Sequence, residues 1–283
     1  MTITGLDFKT QPHIVEALLK KRNLATARLA PILYPSALVR EYKAVVRSYQ
    51  SVLINLVMER IVRRLDVLLP RWQREAGFKL DAIDDELELI LEGISISYGA
   101  QVTVNTIENN ALRSADRVSQ FNKKQNDKIF RSLLSVDPFR SEPWLEQHMR
   151  GFAAQNTKLI KSLETSTLSD VQRIVYKGWR QGMSHRTVSK ELRDKLKVTR
   201  YRADLIARDQ ISKLNGQLTQ LRQTDLGVKR YTWRTSLDER VRATHAANES
   251  RVFSWEKPPA NTGHPGEDIN CRCYAEPILE DLI

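Results

Sequence analysis

Two cysteines one residue apart, Cys271 and Cys273, follow a loop that carries His264, and a further histidine, His245, lies upstream. These four side chains make up a two-cysteine, two-histidine set, the donor composition of a tetrahedral zinc site. Residues 271 to 278 read as a strand, and a Cys-x-Cys pair on a strand puts both thiols on one face because side chains alternate. The same residues admit a metal-free reading. Zinc knuckles usually separate their cysteines by two or more residues, and paired buried cysteines also serve as small hydrophobes, with His245 a hydrogen-bonded core histidine. Zinc is the one cofactor suggested.

Acid, base and anion-binding groups crowd the same stretch. Asp238 and His245 are seven apart, two turns along one face of a short helix expected over 238–248, with Arg240 and Arg242 between them. Such a set could act as acid, base and phosphate clamp in a nuclease. The other reading has Asp238 capping the helix, the two arginines on the surface or on an anion, and His245 packed beneath a sheet. Spacing alone does not establish mutual geometry, so no catalytic residue is assigned. A cysteine nucleophile is disfavoured because Cys271 lacks neighbouring oxyanion-hole signals. Trp233, Phe253 and Trp255 recur at strand spacing and read as core rather than as a platform for stacked bases. Trp72, Trp144 and Trp179 are on helices and read as packing residues.

Taken in order, the chain runs through a strand with Trp233, then Asp238, Arg240, Arg242 and His245, then the loop Gly263-His264-Pro265-Gly266, then Asn270-Cys271-Arg272-Cys273. This order, over 233–255 and 263–274, resembles the Mu protein F-like domain of bacteriophage minor head proteins, the phage head morphogenesis family. Upstream, Ile206-Ala207-Arg208-Asp209-Gln210 with Asn215 resembles that family's Ile-Ala-Arg-Thr-Glu … Asn helix, with Asp-Gln in place of Thr-Glu. The resemblance covers about residues 166 to 280. It implies a minor head protein of the procapsid interior near the portal, with portal, scaffold and major capsid proteins as partners. It also implies DNA contact in some members, and residence in the virion after assembly in the host cytoplasm. It implies no reaction.

The elements that must position these residues are mostly helical. Charged residues make up 28% of the 283-residue chain and aromatics 7%, a balance typical of long helices rather than all-β folds. After a proline-interrupted start with a short helix at 13–19, an apolar stripe of Leu38, Tyr42, Val45, Tyr49, Val52 and Leu56 predicts a helix from Ser36 to Pro70, about 50 Å long. A second helical region is expected over 81–134, bent at Gly93 and Gly99, its outer part polar and asparagine-rich. Further helices are expected over 144–163, 169–181, 184–197 and 199–226, the last ended by Gly227. Period-two patterns then predict strands over 230–235, 251–255 and 271–278. The expected fold is α+β and predominantly helical. A helical N-terminal region, 1–165, would contact portal or capsid, and a domain of helices packed on a small antiparallel sheet would follow over 166–283.

The formal net charge is +11, which favours anionic partners. From Arg173 to Lys213 there are 12 Lys and Arg against 4 Asp and Glu. Arg186, Lys190, Arg193, Lys195, Lys197, Arg200 and Arg202 are the candidate nucleic-acid contacts; the plain alternative is a solvated helix face. No apolar run spans a bilayer, so no membrane partner is expected. The two cysteines make no disulfide framework, and the N-terminus has no secretory leader pattern. Three functions stay open: a structural head protein with non-specific DNA binding, a nuclease or toxin-like enzyme carried in the virion, and a free nucleic-acid-binding regulator.

Overall fold

The computed structural model describes residues 29, 32–75, 80–134, 139 and 141–279, so the short helix expected at 13–19 lies outside the described residues. The elements in order are α1 (Ser36–Arg60), a 3-10 turn (Val62–Arg64), α2 (Leu65–Glu75), α3 (Leu80–Gln101), α4 (Val104–Leu134), α5 (Leu145–Arg180), α6 (His185–Asp225), β1 (Arg230–Arg234), α7 (Ala243–Ala246), β2 (Val252–Ser254) and β3 (Tyr274–Pro277). The fold is α+β and predominantly helical. Among the described residues no helix is long and apolar enough to cross a membrane.

The helices break in places other than the sequence suggests. The first one breaks at Ile61, and its continuation runs through Pro70 to Glu75. Burial of Leu65, Leu68, Leu69 and Trp72 offsets the backbone hydrogen bond that Pro70 cannot donate. Gly93 and Gly99 lie within α3; the break comes at Val102 and Thr103, where Thr103 Oγ1 accepts a hydrogen bond from Thr106 N at 3.1 Å and caps α4. The pairs of helices expected over 144–181 and 184–226 are each one helix. Thr167 and Thr199, beside the gaps between the expected helices, return their hydroxyls to the carbonyls of Leu163 (2.7 Å) and Lys195 (3.3 Å) one turn back.

Two compact units are present, and neither is one continuous stretch of chain. One comprises 40–112 and 151–207; the other comprises 1–39, 113–150 and 208–283. The boundary expected near 165 falls inside α5. In the first unit the α1 stripe of Tyr42, Val46, Tyr49 and Leu53 is buried, with Val46 and Leu53 in place of the expected Val45 and Val52. Tyr42 Oη donates to Asn156 Oδ1 (2.8 Å), and Trp179 Nε1 donates to the Trp72 carbonyl (3.1 Å). Tyr42 of the stripe is therefore bonded within its own unit.

The second unit carries the sheet, ordered β2-β1-β3 and antiparallel throughout, with Tyr231 opposite Phe253 and Trp233 opposite Ala275. Its core joins Tyr231, Trp233, Trp255 and Ala275 to Phe130 of α4 and Phe139, as expected for the strand aromatics. Beside this core lies a polar network. Asn122 and Asn126, expected on a polar outer face, are each 1% exposed. Arg222 of α6, fully buried, donates through Nε and Nη2 to Glu142 (2.6 and 3.0 Å), through Nη1 to Ser119 O and Asn122 Oδ1 (3.0 and 2.7 Å), and through Nη2 to Ser119 Oγ (2.9 Å).

Two outcomes follow. Glu142→Gln, which keeps the shape and drops the charge, should cost about 3–5 kcal/mol in chemical denaturation, the cost of a buried charge left without its partner. A fragment of residues 166–283 lacks Phe130, Phe139, Asn122 and Glu142 and should show no cooperative unfolding transition; a sharp transition in that fragment would count against the interleaved unit.

Candidate metal centre and basic helix

The chemistry-bearing residues of the second unit are placed by one loop, 263–273, lying on α6. A Cβ added to Gly216 of α6 would come 2.6 Å from Pro265 O and 3.1 Å from Gly266 Cα, so only glycine permits this approach. Gly266 itself has φ +97°. Two turns earlier on the same helix, Asp209 accepts the Asn270 backbone N–H at Oδ1 (3.1 Å), while Lys213 holds Oδ2 (2.8 Å). Asn270 has φ +57°, a left-handed conformation that asparagine tolerates better than most residues. That turn reverses the chain into Cys271-Arg272-Cys273, which precede β3 rather than lying on it. The thiols therefore meet through the turn and not through strand alternation.

His245 is 3% exposed and stands edge-on to Trp233 at a centroid distance of 5.5 Å. Its Nε2 is 2.9 Å from Asp268 Oδ2, and its Nδ1 is 3.3 Å from Cys273 Sγ and 3.6 Å from Cys271 Sγ. The donor atoms of His245, Cys271 and Cys273 all lie within 4.8 Å of one another. Cys271 Sγ also accepts the N–H groups of Gly266 and Cys273, each at 3.4 Å. A hydrogen bond from the Cys273 thiol, with those amides and His245 helping against burial, brings Cys271 down to about 6. The same thiol–thiolate bond, with burial, pushes Cys273 up. The Trp233 indole N–H, buried without a hydrogen bond of normal geometry among the described residues, draws Cys273 slightly back down. The arrangement is a thiolate–thiol–imidazole cluster with a carboxylate behind the imidazole.

His264, the fourth expected ligand, is not in this group. Its Nδ1 meets Tyr231 Oη at 2.9 Å, its ring packs 4.9 Å from Trp255, and burial lowers its pKa. Asp238 and His245 are not partners either, because Asp238 lies outside the four-residue α7. Asp238 Oδ1 accepts the Arg240 N–H (3.0 Å) and Arg272 Nη2 (2.6 Å), and Arg272 holds its carboxyl below the usual range. Arg242 reaches Asp268 Oδ2 (3.3 Å) and the Ile269 carbonyl. Asp268 and Gly216 went unrecognised in the sequence. Glu267 and Asp268 are the two carboxylates of the 263–273 loop, and a buried histidine's need for an acceptor is the signal that points to them.

In the first unit α6 displays the expected basic residues on two flanks. Arg186, Lys190, Arg193, Lys197 and Arg200, spaced four and three apart, form one exposed line. Lys197 pairs within it to Asp194 at 3.0 Å. The other two are turned toward α5: Lys195 pairs with Asp170 (2.7 Å), and Arg202 reaches Ser166 Oγ at 3.5 Å.

Residues 169–276 match the family model described as Phage Mu protein F like protein. An uncharacterized protein of Haemophilus influenzae is 42% identical over 142 residues, half of this chain. The chain spans about a third (32%) of that relative's length. No solved structure matches the chain.

Gly216→Ala tests the seat of the loop. In an isolated helix the change would stabilise by about 1 kcal/mol. Here the new methyl meets a backbone oxygen that cannot rotate away, and overpacking should turn the gain into a loss of about 1–3 kcal/mol. A urea midpoint that stays level or rises would show that Pro265 does not rest on this helix.

Proposed function

We propose, from the match of residues 169–276 to the phage Mu protein F like family, that the chain acts as a minor head protein of the capsid interior. The family carries the coarse conclusion, a role in phage head morphogenesis. The finer reading is binding rather than turnover: the protein joins the procapsid near the portal, among portal, scaffold and major capsid proteins, and meets packaged DNA. The basic line of α6 supports the DNA contact. Five cations within about 21 Å of helix offer an anionic backbone a line of positive charge, and phosphate contacts of this kind carry no base sequence information. The Asp238–His245 pairing that motivated a nuclease reading is not made, since each side chain is engaged by a different partner.

The full chain should co-sediment with procapsids assembled with a portal and should be missing from portal-free particles. Its DNA affinity should fall steeply with salt, with a log–log slope of about −4 to −5 for five neutralised phosphates. Reversing Lys190, Arg193, Lys197 and Arg200 to Glu, and sparing Lys195 because Asp170 needs it, should weaken binding and flatten that slope. Unchanged affinity and slope would reduce the basic line to a solvated face. A strong sequence preference would instead favour a free regulator.

A further inference from the structure

We propose that His245 Nδ1 and the sulfurs of Cys271 and Cys273 hold one zinc ion per chain, with Asp268 positioning the histidine and water in the fourth position. The inference stands apart from the head-assembly reading. It starts from donor geometry. Zn–S bonds of about 2.3 Å and a Zn–N bond of about 2.0–2.1 Å, arranged tetrahedrally, leave the donor atoms roughly 3.5–3.8 Å apart. The imidazole nitrogen lies 3.3 and 3.6 Å from the two sulfurs, and all three donors fall within 4.8 Å. The cluster needs only small side-chain shifts to accept the ion.

The second support is the histidine's tautomer. Asp268 Oδ2 faces Nε2 at 2.9 Å, so the ring proton belongs on Nε2 and the Nδ1 lone pair points at the sulfurs. A carboxylate behind the far nitrogen is the usual companion of a zinc-bound histidine, since it fixes the ring and makes it a better donor. Arg242 in turn steadies that carboxylate from 3.3 Å. The third support is the treatment of the sulfur. Two backbone N–H groups, from Gly266 and Cys273, converge on Cys271 Sγ. A small buried hydrophobe needs no such donors, whereas a thiolate ligand does.

His264 is committed to Tyr231 and takes no part. No fourth His, Cys, Asp or Glu among the described residues joins the group, which leaves the remaining position to water. On binding, each protonated thiol gives its proton to solvent and each sulfur gives the metal an electron pair; nothing is oxidised or reduced. The ion would tie α7 to the turn ahead of β3.

The full-length protein, purified without chelator, should carry about one zinc per chain by elemental analysis, and stripping the metal should lower its melting temperature. The stripped chain, titrated with cobalt(II), should saturate at one equivalent, with thiolate charge-transfer absorption and the intense visible bands of a tetrahedral site. Asp268→Asn should weaken cobalt binding about 10–100-fold, while His264→Gln should leave the spectrum and affinity unchanged. Cys273→Ser should lose much of the charge-transfer intensity. Absence of these bands in the folded wild-type chain at saturating cobalt would overturn the proposal, whatever the fate of the variants. So would an unaltered spectrum in the Cys271→Ser, Cys273→Ser double variant.

Discussion

A guanidinium with no access to water sets the arrangement of the second unit. All five N–H groups of Arg222 are used, on Glu142, Ser119 and Asn122. Asn122 then spends its amide on Thr219 and Asn215, one and two turns back along α6. The next residue along, Gln223, donates to Ala275 O of β3 at 3.1 Å. Desolvation cancels much of the attraction in a buried pair, so the consequence of this network is positional. It admits one rotation and one height of α6 against α4 and the sheet. With that fixed, Gly216 and Asp209 are aimed at the 263–273 loop, and the loop brings Cys271 and Cys273 to His245. The cluster is thus the last link of a chain of constraints that begins about two turns further along α6.

The legible parts of the fold are those whose signal is local. The period-two pattern at Tyr231 and Trp233, the glycine after α6 and the amphipathic line of α1 each lie within a few residues, and each appears close to where the sequence puts it. The missed features depend on partners far along the chain. Asn122 reads as solvent-facing because nothing nearby says that Arg222 and Asn215, about a hundred residues away, will bond to it, and Asn126 is buried beside it, donating to Asn122. The gaps expected at 164–168 and at 198 are helical, and Thr167 and Thr199 bond back one turn within the long helices. The interleaved units have the same origin, since residues 113–150 and 208–283 belong together through side chains that no local window pairs.

The candidate site was legible in composition and not in membership. The two histidines are of one residue type and flank one motif, and both are buried. What separates them is the partner at each ring nitrogen. His264 turns Nδ1 to a phenol, among aromatic rings, where burial disfavours its charged form. His245 has a carboxylate on one side and two sulfurs on the other, so its lone pair and its proton both have assigned directions. A set read from spacing alone puts both histidines in one cluster with the cysteines. The Asp268 carboxylate, bonded to His245 Nε2, is what distinguishes the two.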